Sequence, residues 1–487
     1  MSSRNPPTLC ELAIQSMLQD EATTIACLDW LPTALFPPLF KAAVAGGHSG
    51  IVKAMVASWP FIRLPLGALM KPGSSHQSTL KAALDGLDNL LSQKVQPRRC
   101  KLMALDLRLD TVTNFWNVFG TQSSTSEPSL QTPTTPQSWS KAQEGDHSGS
   151  VEKHQSLGRL EVLTDLCFQE AFPDKLLTFL IERVMERKGL PHLRCRKLQF
   201  IGTTSLLPVF GDILNMVQLD AVQEVEMHCS WDLHSLNLFA PHLAQMVHLN
   251  TLHLSGIFLN CAMFCQENEV ANLLAQFTSP FLGLHHLQHL ILDSVFLKNC
   301  LHKLLGCLQT PLETLRISHC SLVASDSTCL SLCACTSQLR SLGLSDVFRG
   351  GVSHAFLPGL LRRVSATLTH LHLAACGITD SELRALQPAL GLCSQLSTLV
   401  LCGNSVSMAA LQALLQHTIP LCKFTLLELP VPLHCYVGSQ SSLLWGSLVY
   451  VIEDLKLTLQ PLRPCSVIFS PKHDSSSWDT IIIHLYS

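Results

Sequence analysis

Six times between Leu249 and Leu401 the chain repeats one spacing, L-x-x-L-x-L, in which the last leucine can be replaced by isoleucine. The first copy is Leu249-Asn250-Thr251-Leu252-His253-Leu254, and later copies begin at Leu287, Leu312, Leu339, Leu368 and Leu396. In a short strand the fourth and sixth residues of this pattern point to one side, and the residues between and beside them point to the other. Each unit therefore has a core side that it cannot bury alone. Starts about 25 to 29 residues apart leave room for one strand and one returning helix per unit. The longer step from Leu249 to Leu287 implies an inserted loop around Cys261 to Glu269.

A period of this kind is that of a leucine-rich repeat, so the expected fold is α/β: a solenoid with a curved parallel sheet and outer helices. A chain that is 47% hydrophobic and 14% charged suits such an array. Its 33 basic and 36 acidic side chains nearly balance, which gives no overall field toward nucleic acid or an anionic membrane. No run approaches 18 uninterrupted apolar residues, and Met1 to Ser16 has no basic stretch followed by an apolar core. The 20 cysteines are spread along the chain, many beside repeat leucines, as expected of reduced thiols in the cytosol or nucleus. Cys329, Cys333 and Cys335 lie close in sequence but lack a fourth ligand at a recognisable spacing, so no metal is expected.

Ahead of the repeats, Thr8 followed by Glu11 is a capping box that starts a helix, with Leu9, Ala13 and Met17 at four-residue spacing on one face. Val52, Met55, Val56 and Trp59, then Leu84, Leu87, Leu90 and Leu91, mark amphipathic segments. Leu102-Met103-Ala104-Leu105-Asp106-Leu107 shows the strand spacing again. Residues 1–120 are therefore expected to form a helical N-terminal cap, since an end repeat otherwise exposes its core. Residues 121–157 are rich in Ser, Thr, Pro and Gln and read as a disordered loop.

The repeat array is expected over 158–429 and a C-terminal cap over 430–487. A helix is expected from Leu160 to Glu186, on the spacing of Leu163, Leu166, Leu176, Leu177 and Leu180. Arg183, Arg187, Lys188, Arg194, Arg196 and Lys197 follow as a solvated basic face beside the strand Leu198-Gln199-Phe200, or as a nuclear import signal. With Val222 to Met227 and Leu421 to Leu426 added, about nine strand positions run from Cys195 to Leu426. In the last segment, 441–459 reads as a helix and Ile481-Ile482-Ile483 as a strand.

The sequence holds no P-loop, G-x-G-x-x-G, G-x-S-x-G or H-E-x-x-H motif, and its 22 histidines are scattered, so neither an enzyme nor a cofactor is expected. L-x-x-L-L occurs at Leu87, Leu301, Leu357 and Leu411. Such motifs dock nuclear receptors only from an exposed helix face, whereas repeat leucines are needed in the core.

Thr8-Leu9, Ala13 and Met17 resemble the elongin C binding box, with Ala13 where cysteine is usual and Met17 where an aliphatic residue is. Leu31-Pro32, Leu35 and Leu39 resemble the cullin-2 box that follows it, and a Leu-Pro start also resembles an F-box. Longer stretches, among them Leu35-Phe36-Pro37-Pro38-Leu39-Phe40, Trp59-Pro60-Phe61, Gln276-Phe277-Thr278-Ser279, Cys376-Gly377-Ile378-Thr379-Asp380 and Gly403-Asn404-Ser405-Val406, identify the chain as resembling the PRAME family. That resemblance implies a substrate receptor of a cullin-2 RING ubiquitin ligase. It implies elongin B/C contacts at Thr8, Leu9, Ala13 and Met17 and cullin-2 contacts at Leu31, Pro32, Leu35 and Leu39. It also implies repression of transcription, including retinoic-acid receptor signalling, in germ cells or the early embryo; nuclear location is not carried over with it, and the expected compartment is the cytoplasm, the nucleus or both, as the cysteines indicate. The strand alternation places an unidentified protein target against His253, His289, Ile291, Asp293, Thr314, Arg316, Ser318, His370, His372 and Val400. A protein-binding scaffold or corepressor without a ligase is the alternative.

Overall fold

The computed structural model describes residues 7–70, 77–92, 99–108, 115–118, 160–169, 173, 175–186, 192–202, 207–257, 267–296, 300–348, 352–418, 421, 423–437, 442–459, 465–470 and 481–485. The expected loop at 121–157 lies outside them, as do Arg187, Lys188 and most of the expected insertion at 261–269. The chain divides into two compact units, Met1–Thr164 with Thr178–Leu193, and Asp165–Leu177 with Arg194–Ser487.

In the first unit, helices α1 (Leu9–Gln19), α2 (Glu21–Cys27), α3 (Phe36–Gly46) and α4 (Ser49–Ala57) precede the short strand β1 (Arg63–Pro65). Helix α5 (Gln77–Ser92), strand β2 (Ala104–Asp106), α6 (Phe115–Val118), the start of β3 (Glu161–Gln169) and most of α7 (Lys175–Met185) complete it. The three strands are parallel, with Leu64, Leu105 and Val162 in register and all buried. Their core is aromatic: Trp59 meets the Phe40 ring edge-on at 5.1 Å, and Trp116 stacks on Phe40 at 6.0 Å. Both indoles are satisfied, Trp59 donating to the Arg63 carbonyl (3.1 Å) and Trp116 to that of Pro65 (2.9 Å), as burial of a polar edge requires. At Gly86 a Cβ would come 2.6 Å from the Lys53 carbonyl, so glycine is what lets α5 approach α4 this closely.

In the second unit each strand is followed by a helix and then by a parallel strand. The order is β4 (His192–Gly202), α8 (Leu207–Leu214), β5 (Glu224–Cys229), α9 (Leu233–Leu243), β6 (Thr251–Ser255), α10 (Glu267–Thr278), β7 (His289–Asp293), α11 (Leu301–Gly306) and β8 (Thr314–Ser318). It continues through α12 (Ala324–Leu332), β9 (Ser341–Ser345), α13 (Leu357–Val364), β10 (His370–His372), α14 (Asp380–Leu390), β11 (Thr398–Val400), α15 (Met408–Thr418) and β12 (Leu426–Pro430). The repeat spacing sets the register. Leu252, Leu290, Leu315, Leu342, Leu371, Leu399 and Leu427 align strand by strand in one buried row, worth about 1.5–3 kcal/mol per leucine against exposure. The fold is therefore the expected α/β leucine-rich repeat, and β4 to β12 occupy the expected strand positions.

One expectation fails. Residues 161–169 form a strand, not the start of a helix, because Val162, Thr164, Leu166 and Phe168 alternate into the core with period two. Beyond the last repeat strand the cap continues the sheet, with the expected helix and final strand in place. After the hairpin β13 (Tyr436–Val437) and β14 (Ser442–Leu443) and helix α16 (Trp445–Leu459), strand β15 (Cys465–Ser470) adds parallel to β12, and β16 (Ile481–Leu485) closes antiparallel to it.

Candidate functional site

Helix α1 begins as the sequence dictates. The Thr8 amide donates to Glu11 Oε2 (2.7 Å) and the Glu11 amide donates to Thr8 Oγ1 (3.2 Å), satisfying two N–H groups that a helix start leaves free. Its buried side is Ile14, while Leu9, on the other side, is 87% exposed. Thr8 and Ala13 are exposed and Met17 is half-buried, so the Leu9-Ala13-Met17 face is open over its first two turns. Leu12 and, from α2, Ile25 are exposed as well.

The second motif divides differently. Leu39 is 0% exposed and Leu31 is buried too, Leu35 is half-buried, and Pro32 is exposed. Leu31 and Leu39 thus fill the chain's own core and are not open to a partner in this structure. What this turn does present is Trp30, 87% exposed, which the sequence reading passed over. Arg99 holds the turn: its guanidinium donates to the carbonyls of Leu28 (3.0 Å), Asp29 and Leu31 and lies 5.1 Å from the centre of the Phe36 ring. Four bound groups from one side chain make Trp30 a positioned feature of the surface.

On the second unit, the sheet side away from the buried leucines carries aligned rows. The middle row runs Gln199, Glu226, His253, Ile291, Arg316, Gly343, His372, Val400 and Glu428. His253, His289, Ile291, Asp293, Thr314, Ser318 and His372 are partly exposed there, and Arg316 and His370 are exposed, as expected of a binding face. Val400 is not. Although in register with that row it is only 5% exposed, which makes it packing rather than contact surface.

The reading also missed the first strands of the face. Lys197 Nζ bridges Glu224 (3.1 Å) and Glu226 (2.8 Å), and Gln199 Nε2 donates to Glu226 (3.1 Å). Burial works against both charges of the Lys197–Glu226 pair, but their contact outweighs it, holding Lys197 above 10.5 and Glu226 below 4.5. His228 lies 3.8 Å from Glu226 and packs edge-on against His253 at 4.8 Å. In the sequence Lys197 reads as part of a basic run; its register with Glu224 reveals a paired charge. Among the described residues, no group of three or more His, Cys, Asp or Glu side chains is arranged to hold a metal ion.

Comparison with known proteins places this architecture. The model of the PRAME N-terminal domain matches residues 6–116, and that of the PRAME C-terminal domain matches residues 160–481. The chain belongs to the PRAME family. Human PRAME family member 8 is 42% identical over 471 residues, covering 96% of this chain and 95% of that one. Human PRAME family member 12 is 42% identical over 472 residues, covering 96% and 94%. Among solved structures, the complex of Rad7 and Elc1 in yeast aligns at 12% identity with a TM-score of 0.36, over 89% of this chain and 92% of that one, a likeness too slight to bear on function.

For a PRAME-family chain the L-x-x-L-L motifs now have a plain account. The three leucines of each copy at 301–305, 357–361 and 411–415 are buried, and in α5 Leu87 and Leu90 are buried as well. As folded, none of these copies offers a complete set of leucines to a nuclear receptor.

Proposed function

We propose that this PRAME-family chain is a substrate receptor of a cullin-2 ubiquitin ligase: α1 docks elongin B/C, and the outward rows of the repeat sheet select the protein to be modified. The observation that carries the reading is Leu9, 87% exposed at the start of a capped helix, with Ala13 open beside it. A helix packed only on its own domain would bury that stripe; a helix-in-groove partner would cover it. Leu9→Ser removes the anchor without touching the core. The chain itself supplies a scaffold, not chemistry, so transfer of ubiquitin falls to the ligase it joins.

Affinity purification from cells tests this. Elongins B and C and cullin-2 are expected to co-purify with the wild-type chain, and Leu9→Ser is expected to lower their recovery at least about tenfold, the effect of losing roughly 1.4 kcal/mol of apolar burial. Absence of elongin from the wild-type eluate would leave the scaffold or corepressor reading in its place.

A further inference from the structure

The outward positions of β8 to β11 hold hydroxyls, histidines and one full charge: Thr314, Arg316 and Ser318, then Ser341, Gly343 and Ser345, then His370 and His372, then the covered Thr398 and Val400. Arg316 is exposed and has no ion pair among the described residues. The carboxylates Asp293 and Glu428, on the flanking strands β7 and β12, accept hydrogen bonds from Ser255 (3.3 Å) and Ser470 (2.6 Å). The stem of Arg316 leans toward the next strand, so that a Cβ added at Gly343 would sit 3.0 Å from its Cγ. The missing side chain at Gly343 gives the arginine a bed, and past it lies His372, whose titration feels Arg316 and, from the other flank, Glu428. At the start of the face, by contrast, Lys197 is already neutralised by Glu224 and Glu226. Among the described residues, a guanidinium without an ion pair, set over Gly343 and beside hydroxyls and histidines, is a site for a carboxylate.

We propose that the bound protein is recognised through a segment carrying an acidic side chain, which pairs with Arg316 over Gly343 while the neighbouring serines, threonine and histidines hydrogen-bond its backbone. The inference rests on the receptor reading for the sheet's role, but not on elongin docking. Selection of a displayed random dodecamer peptide library on the purified full-length chain tests it. The wild type is expected to enrich peptides rich in Asp and Glu. A selected acidic peptide is expected to bind Arg316→Ala about 10- to 100-fold more weakly, the loss typical of one charge-assisted hydrogen-bond pair. Arg316→Glu should enrich basic peptides or none. Gly343→Ala, which keeps the charge but crowds its bed, should weaken the same peptide less. Selected peptides without an acidic excess, an unchanged selection on Arg316→Glu, or no selection at all would overturn the proposal. Retention of purified elongin B/C by the same preparations reports on docking separately, so the two failures can be told apart.

Discussion

Asn404 ties two successive repeats together with one buried amide. Its Oδ1 accepts from the Cys376 (3.1 Å) and Ile378 (3.0 Å) amides, and its Nδ2 donates to the Leu373 and Leu401 carbonyls (2.7 Å each). Asn404→Ala leaves these backbone groups buried and unpaired, at a cost of about 3 kcal/mol or more, to be read from urea melts. The thiols of Cys320 and Cys376 serve the same end more weakly; Cys376 donates to the Leu344 carbonyl (2.9 Å), and burial pushes its pKa up to about 12, so it stays a donor at any physiological pH. Burial, then neighbouring positive charge, holds His253 and His372 below 6.5, and burial does the same for His242. A depressed folded pKa means stability that is present above 6.5 and lost as pH falls through the folded value. The urea midpoint is therefore expected to drop between pH 7 and 5.5. Paired carboxylates such as Asp106 and Asp232 act only further down, because their folded values lie below 3.8. Asp326 runs the other way, since burial raises it and its contribution is lost as pH rises. An Asp326→Asn background therefore isolates the histidines. In the same range Arg316→Ala should raise the His372 pKa, read by NMR of selectively labelled histidine rings; no change would place the two charges further apart than the structure does.

Helix α1 is readable from its cap and its spacing, but its role turns on exposure, which no spacing reveals. With Leu9 open to water, Leu9→Ser is expected to change stability by no more than about 0.5 kcal/mol in urea melts while it weakens elongin recovery. A larger loss would mean that the side chain is packed. The L-x-x-L-x-L strands were readable because their period and their burial coincide, and the register of the outward rows followed from them. Other elements were hidden for physical reasons. At 161–169 the leucines fit a helical spacing, yet Val162, Thr164, Leu166 and Phe168 fit a strand, and only the parallel partner β2 decides between them. Arg63–Pro65 is too short to show a period, and β15 lacks the repeat spacing altogether. In the cullin-like stretch Leu31 and Leu39 matched the motif and proved to be core, because apolar spacing alone cannot separate a leucine that binds from one that packs. Trp30 was missed because it belongs to no periodic pattern.

Across the molecule, a parallel repeat sheet must end somewhere, and an open edge pairs with whatever it meets. In the second unit β15 and the antiparallel β16 cover the edge of β12, with Cys465 opposite Leu485 and Phe469 opposite Ile481. Truncation after Leu459 removes both strands and bares β12, with its buried Leu427 and Leu429. The truncated chain is expected to aggregate, visible as early-eluting material in size-exclusion chromatography; a monodisperse product would mean that the last strands are dispensable. A scaffold built this way contributes surfaces, among them the Leu9 face of α1 in the first unit and the Arg316 row in the second. Hydrogen–deuterium exchange of the full-length chain with and without purified elongin B/C measures docking at the Leu9 face directly. Binding is expected to slow exchange in residues 9–19 and leave the strands of the second unit unchanged; elongin binding that protects other segments while α1 exchanges as before, or no binding at all, would contradict it.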